Sequence, residues 1–179
     1  EVENVYPHIF SAYDSALFVQ PYLSQLSLDS PEKPLSAAYF QNTHVIEVRY
    51  KHFTVNYFAS FGNSDRMFYA VLRGDSARIA SLRFVYKSPD GLQVTSVFKK
   101  TGKLAEKYFL FGPADGNDLK HSRAYLVSLP GSLADAEVGW MRQVFERCRF
   151  PDGLRRAERN LMEQSVAVLK MAQVADNEI

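Results

Sequence analysis

Residues that hold metals or act as nucleophiles are sparse in this 179-residue chain. Its histidines are His8, His44, His52 and His121, whereas a zinc site needs several His or Cys ligands, usually paired a few residues apart. His44 and His52 are eight residues apart, so their spacing does not predict a metal site. The single cysteine, Cys148, falls on the apolar side of a predicted helix, where a thiol packs as a small hydrophobic group. We therefore expect neither a metal site nor a cysteine nucleophile.

Oxygen donors gather in the segment Asp115-Gly116-Asn117-Asp118. A calcium loop places its ligands at alternate positions and closes with a bidentate Glu, but Leu119, Lys120 and His121 follow here, which favours a solvated hairpin turn. The sequence also lacks a Gly-rich phosphate loop and a nucleophile elbow. These observations predict a chain that is not an enzyme and that has no cofactor and no catalytic residue. An enzyme with dispersed residues is the alternative, and it requires a cleft where two or more of the following converge: His44, His52, His121, Asp115 and Asp118.

A group of arginines lies near the predicted turn between two C-terminal helices. Guanidinium groups gathered in this way bind phosphates or carboxylates. Acidic residues alternate with these arginines, however, and Arg159 and Glu163 are one helical turn apart, which favours a salt-bridged helix surface. The arginines are Arg142, Arg147, Arg149, Arg155, Arg156 and Arg159.

The positive charge of the chain is concentrated in its middle. Residues 36–131 carry a formal net charge of +6, against −4 for residues 1–35 and −1 for residues 132–179. Cations and aromatic rings alternate there, as in Arg83-Phe84-Val85-Tyr86-Lys87 and Phe98-Lys99-Lys100, a combination that some sheets use to stack nucleic-acid bases. Lysines on strand surfaces also prevent edge-to-edge aggregation, no RNA-binding signature is present, and the sequence pI is only about 8.1. The pattern therefore disfavours nucleic acid as a partner.

These basic residues must be positioned by strands, because apolar and polar residues alternate with period two through the middle of the chain. The apolar positions change parity after His52, which predicts a bulge or a tight turn near Lys51. Short turn sequences between the runs indicate antiparallel neighbours in a curved meander of six to eight strands. Beyond residues 46–61, the predicted strands are 66–73, 78–87, 92–100, 104–111 and 122–129.

The two ends of the chain have helical periodicity. Residues 4–28 predict a helix in two pieces that is interrupted at Pro21, and residues 29–34 form a proline-containing linker. After Pro130-Gly131, Ser132 and Asp135 resemble a capping box, and two amphipathic helices follow. The expected fold is α+β, with an N-terminal helical segment, the meander, and a C-terminal helical hairpin packed on the sheet. We expect one domain over residues 1–179, divided into 1–35, 36–131 and 132–179.

The leading functional hypothesis is a non-enzymatic binding or assembly domain that uses a basic sheet surface for a protein partner. It rests on the missing catalytic motif, the basic strands and the proline-containing linker. The alternative is a carrier that holds an apolar small molecule or lipid between the sheet and the C-terminal helices. The oligomeric state stays open, with the apolar stripe from Leu154 to Ala172 as a possible dimer contact. The candidate binding residues are Arg83, Lys87, Lys99, Lys100, Lys103, Lys107, Arg149, Arg155 and Arg156.

The sequence says little about the compartment. No apolar run reaches the roughly 18 to 20 residues that cross a bilayer, so we expect no transmembrane segment. The chain starts at Glu1 without a basic and apolar leader, so we expect that a leader was either removed or never present. An exported or envelope-associated protein, periplasmic or secreted, is the working hypothesis for its location.

Overall fold

The computed structural model of the protein describes residues 2–5, 23–59, 67–87, 92–101, 103–113 and 117–172. These residues form nine strands and four helices, so the α+β class is confirmed. In chain order the strands are β1 (Val2–Val5), β2 (Leu23–Asp29), β3 (Ser36–Tyr39), β4 (Ile46–Arg49), β5 (Phe53–Ala59), β6 (Phe68–Asp75), β7 (Arg83–Tyr86), β8 (Leu92–Thr101) and β9 (Leu104–Pro113). The helices are α1 (Ser76–Ala80), α2 (Asn117–Ser128), α3 (Leu133–Arg147) and α4 (Arg156–Ala172), and a 3₁₀ turn spans Phe40–Asn42.

The strands form two antiparallel sheets. The larger sheet has the order β3-β4-β5-β6-β9-β8, so it is a meander from β3 to β6 that is completed by the β8–β9 hairpin. The smaller sheet has the order β1-β2-β7. The predicted tight turn near Lys51 is confirmed, because the Tyr50 N–H donates to the Phe53 carbonyl at 2.9 Å and closes a turn through Lys51 and His52.

The prediction of an N-terminal helix is wrong where the structure describes that segment, because β1 and β2 are strands. Residues 6–22 lie outside the described residues. Leu23 and Leu26, whose spacing of three predicted a helix, are both buried in β2 on either side of Gln25, which adopts φ = 85°. An irregular strand thus produced a helix-like spacing, since a left-handed residue breaks the strict alternation of a regular strand.

Two predicted strands also need correction. Residues 78–87 divide into the end of α1 and strand β7, and α1 begins after Asp75, whose carboxylate accepts the N–H groups of Ala77 and Arg78. Residues 122–129 belong mainly to helix α2, in which Ser122 and Leu126 are buried four residues apart. Asn117 and Asp118 begin this helix, so the predicted hairpin turn is wrong at these two residues, and Asp115 and Gly116 lie outside the described residues.

Both faces of the larger sheet are covered at its centre. On one face the smaller sheet and α1 complete a core that contains Phe84 and Ile79. On the other face α2 and α3 contribute Leu126 and Val138 to a second core. Helix α4 packs on α3, where Ala167 meets Met141 and Phe145.

Candidate functional site

Helix α3 is fixed to the sheet by a polar network at its first turn. The Arg73 guanidinium on β6 donates to Glu106 on β9 at 2.8 Å and to Asp135 on α3 at 2.7 Å. The Tyr108 hydroxyl donates to the other Glu106 oxygen and accepts the Leu133 N–H at 3.3 Å. Ser132 is the N-cap residue, but its side chain makes no capping hydrogen bond, so the capping-box prediction is wrong. Asp135 instead bonds across to the sheet.

Two of the predicted binding residues are engaged inside the fold. The Lys99 ammonium donates to the main-chain carbonyls of Leu129 and Gly131, at 2.6 and 3.0 Å, and so ties the α2–α3 connection to β8. The Lys107 ammonium donates to the carbonyls of Ala80 and Leu82, at 2.6 and 2.8 Å, just after α1.

The charge of Lys107 is influenced by its surroundings. Burial lowers the pKa of the Lys107 ammonium, and the neighbouring Arg83 charge lowers it further. Lys107 and Arg83 come from different sheets, and the bond from the Lys107 ammonium to the Leu82 carbonyl places Lys107 beside the residue that precedes Arg83.

Among the described residues, Phe98 on the edge strand β8 shares one face of the larger sheet with two predicted cations, and a third lies at the start of β7. Phe98 on β8 is 44% exposed and lies opposite Lys107 of β9, so the two side chains project from the same face. Lys100, two residues beyond Phe98 on the same strand, shares that face and is exposed. Arg83 follows Leu82, whose carbonyl binds Lys107, and is also exposed. We name Arg83, Phe98, Lys100 and Lys107 the Phe98 patch.

The remaining predicted binding residues lie elsewhere. Lys103 is exposed at the β8–β9 turn, and its carbonyl accepts the Ser76 N–H at 3.2 Å. Lys87 is exposed just after β7. Arg149 and Arg156 are exposed near the α3–α4 connection, and Arg155 pairs with Glu158.

The salt-bridged interpretation of the C-terminal arginines is confirmed for two of them. Arg155 contacts Glu158, and the Arg159 Nε lies 2.7 Å from a Glu163 oxygen one helical turn away. The Arg155 guanidinium, through its hydrogen bonds, also lowers the pKa of the Glu158 carboxyl.

The histidines occupy different environments. His44 is buried between the sheet and α3, with its Nε2 at 3.4 Å from a Glu137 oxygen and its ring edge-on to Phe58 and Trp140. His121 is exposed on α2. Asp115 lies outside the described residues. Among the described side chains, no contact brings these histidines together in one cleft.

His52 belongs to a charged cluster beside an open cleft of about 420 Å³. Its Nδ1 lies 2.8 Å from a Glu32 oxygen, which also accepts from the Arg78 guanidinium at 2.9 Å. The hydrogen bond with His52 is the main effect that lowers the pKa of the Glu32 carboxyl. Burial opposes this shift, whereas the charge of His52 and the bond from Arg78 lower the pKa further. Glu32 and Arg78 line the cleft together with Asp75 and Phe53. These ion pairs tie the β2–β3 connection to α1 and to the β4–β5 turn.

In the described part of the chain, no three His, Cys, Asp or Glu side chains are grouped so that they would hold a metal ion. None of the four described helices has the length and apolar content that a bilayer crossing requires.

The exposure of Phe98 was not apparent from the sequence. Its alternation with cations is the same as that of Phe84, which lies on β7 of the smaller sheet and is buried against the larger sheet. Phe98 is exposed because β8 is an edge strand, and the order of strands in a sheet depends on pairings that are distant in sequence. The adjacent lysines were the only local signal.

Comparisons with protein-family models, with curated proteins and with solved structures gave no match.

Proposed function

We propose that this chain is a non-enzymatic protein-binding domain that binds an acidic segment of a protein partner at the Phe98 patch. One observation carries the proposal. A phenylalanine ring, 44% exposed on an edge strand, projects from the same face as Lys100 and Lys107, and the Lys107 ammonium bonds to the carbonyl of Leu82, the residue before Arg83.

The patch has the chemistry of a small interaction site. An exposed aromatic ring offers a large apolar area with few rotatable bonds, and such rings are frequent anchors of protein interfaces. The surrounding cations attract acidic side chains and set the orientation of the partner. Lys107 is held by two carbonyls, so the charge beside the ring is fixed in position before binding. The complementary segment has one apolar or aromatic side chain flanked by Asp or Glu.

The charge balance of the whole chain favours a protein partner over nucleic acid. The formal net charge is +1 and the pI is about 8.1, whereas nucleic-acid domains usually carry a much larger excess of cations. Asp29 lies opposite Arg83 in the β2–β7 pair and moderates the field there. A patch of this strength matches a short acidic peptide segment.

The carrier alternative has no specific observation in its favour. Between the sheet and the helices, the described side chains of Met67, Tyr69, Tyr108 and Leu126 are fully buried in one packed cluster.

The proposal is tested by affinity capture with the intact chain as bait. We expect Phe98→Ala and the double variant Arg83→Ala/Lys100→Ala each to lower recovery of the wild-type partner by about tenfold, a typical effect of removing an interface anchor. Lys51→Ala removes an exposed lysine from the β4–β5 turn and serves as the matched control, with unchanged recovery. Recovery by the wild type should also fall when NaCl is raised to about 300 mM.

Two outcomes contradict the proposal. The first is that the patch variants capture the same proteins as the wild type with equal recovery. The second is that the wild-type chain captures no protein specifically. Circular dichroism of each variant ensures that a loss reflects the surface and not misfolding.

A further inference from the structure

Helix α4 exposes an apolar surface on the side that faces away from α3. Ala167 is buried against Met141 and Phe145, and this contact fixes which side of the helix is covered. Four large apolar side chains project from the opposite side and are exposed. They are Leu161 at 67%, Met162 at 37%, Val168 at 47% and Leu169 at 64%. At Leu161 and Val168, the predicted stripe therefore does not face the rest of the domain.

The covered side of α4 is held firmly. The Asn42 side-chain amide donates to Asn160 at 3.1 Å and to Glu163 at 3.3 Å. The Arg159 guanidinium lies 3.9 Å from the centre of the Phe150 ring. These contacts hold the helix in one orientation, so its apolar surface is presented as a preformed platform.

The exposed apolar positions are symmetric about Ser165. Leu161 and Leu169 lie four residues before and after it, and Met162 and Val168 lie three residues before and after it. Ser165 is itself exposed, and its hydroxyl donates to the Leu161 carbonyl at 2.8 Å within the helix. A second α4 running antiparallel across this point would present the same surface in reverse order, which is the self-complementarity that a two-fold interface requires.

We propose that the chain forms a two-fold symmetric dimer through antiparallel packing of α4 on α4 of a second copy, with the helices crossing at Ser165. In this register Leu161 packs against Leu169 of the partner subunit, and Met162 packs against Val168 of the partner subunit. The small serine at the crossing point allows the helices to approach closely.

The helix dipoles fit the antiparallel direction. The partial positive charge at the beginning of one helix then lies near the partial negative charge at the end of the other.

The size of the surface sets the expected affinity. The four apolar side chains expose a surface on the order of 400 Å² per chain. The largest apolar patch on a typical monomer has a similar area, and such patches are often interaction sites. A standard stable interface buries about 800 Å² per partner, so α4 alone supports a weak dimer. We expect a dissociation constant in the range of about 10 to 100 μM, which makes the dimer dependent on concentration.

Sedimentation equilibrium of the intact chain at about 1 to 300 μM tests the proposal. The wild type should shift from monomer to dimer over this range, and Leu161→Glu should remain monomeric because it places a carboxylate against an apolar partner. Leu169→Lys should behave in the same way. The double variant Leu161→Glu/Leu169→Lys should regain dimerisation, since the antiparallel register places the new carboxylate of each chain opposite the new ammonium of the other. Val127→Glu changes an exposed apolar residue on α2, 68% exposed, and should leave dimerisation unchanged.

A wild-type chain that stays monomeric at every concentration overturns the proposal, as does a dimer that persists in Leu161→Glu. Single variants that dissociate without rescue by the double variant overturn the antiparallel register. The Phe98→Ala variant should still dimerise. Failure of the dimer proposal can therefore be distinguished from failure of the proposed partner binding at the Phe98 patch.

Discussion

The Tyr108 hydroxyl links α3 to the sheet, and its removal is a direct test of the polar network at that contact. The ring is fully buried, the hydroxyl donates to Glu106, and it accepts the Leu133 N–H at 3.3 Å. Tyr108→Phe keeps the ring and its packing and removes only the oxygen. The variant therefore leaves a carboxylate oxygen and a buried main-chain N–H without this partner.

The cost follows from these two bonds. A hydrogen bond to a charged group contributes about 1.5 to 3 kcal/mol, and a neutral one about 0.5 to 1.5 kcal/mol. The bond from the Leu133 N–H is long, and Glu106 keeps its bond from Arg73, so both terms belong near their lower limits. We expect the free energy of unfolding to fall by about 2 to 3 kcal/mol.

Urea unfolding at neutral pH, followed by circular dichroism, measures this difference. For a slope of about 2 kcal/mol per molar, the midpoint should fall by roughly 1 to 1.5 M. Tyr125→Phe is the matched control, because Tyr125 is 37% exposed on α2, and its effect should stay within about 0.5 kcal/mol. A Tyr108→Phe midpoint equal to that of the wild type would refute the role of this hydroxyl in holding α3.

Three further predictions concern ionisable groups. Burial, with a smaller effect of Tyr50, raises the pKa of Tyr57 well above its ordinary value. The neutral Tyr57 hydroxyl therefore contributes to the free energy of unfolding below about pH 10, and this contribution is lost at higher pH. In urea titrations, Tyr57→Phe should reduce the loss of this free energy between pH 8 and pH 11 by about 1.4 kcal/mol. Because the pKa of Glu32 is lowered in the fold, its carboxylate stabilises the fold above the pKa of Glu32 in the unfolded chain, and this stabilisation is lost as the pH falls. Glu32→Gln should therefore be less stable than the wild type at pH 7, and its stability should fall less steeply in acid. An unchanged acid dependence would contradict this prediction. Lys99→Met should lower the free energy of unfolding by about 1 to 2 kcal/mol, and Lys100→Met by less than about 0.5 kcal/mol, with equal losses counting against the proposed role of Lys99.

Local patterns predicted much of the central sheet. The alternation around Val48 and Val55 and the change of parity at Lys51 identified β4, β5 and the turn between them. The spacing of Val138, Met141 and Phe145 identified the buried side of α3. These features depend on residues close together in the sequence, so periodicity was enough to find them.

The errors arose where distant contacts decide the structure. Helix α4 has two apolar surfaces, and the predicted stripe through Leu161 and Val168 is exposed because Ala167 faces α3 instead. The ammonium groups of Lys99 and Lys107 also bond to main-chain carbonyls of other segments, which the sequence did not predict. Which carbonyls lie within reach of a lysine depends on the tertiary fold, and the sequence carries no local sign of it.

The Phe98 patch as a protein contact is the central claim, and site-specific cross-linking tests it most directly. The chain is produced with a photo-activated phenylalanine analogue in place of Phe98, and in a second preparation in place of the exposed Tyr125. Irradiation with candidate partners should give one defined adduct from position 98 that an excess of unlabelled wild-type chain competes away, and the same adduct should be absent from position 125. Equal labelling at both positions, or no competed adduct at position 98, would contradict the claim.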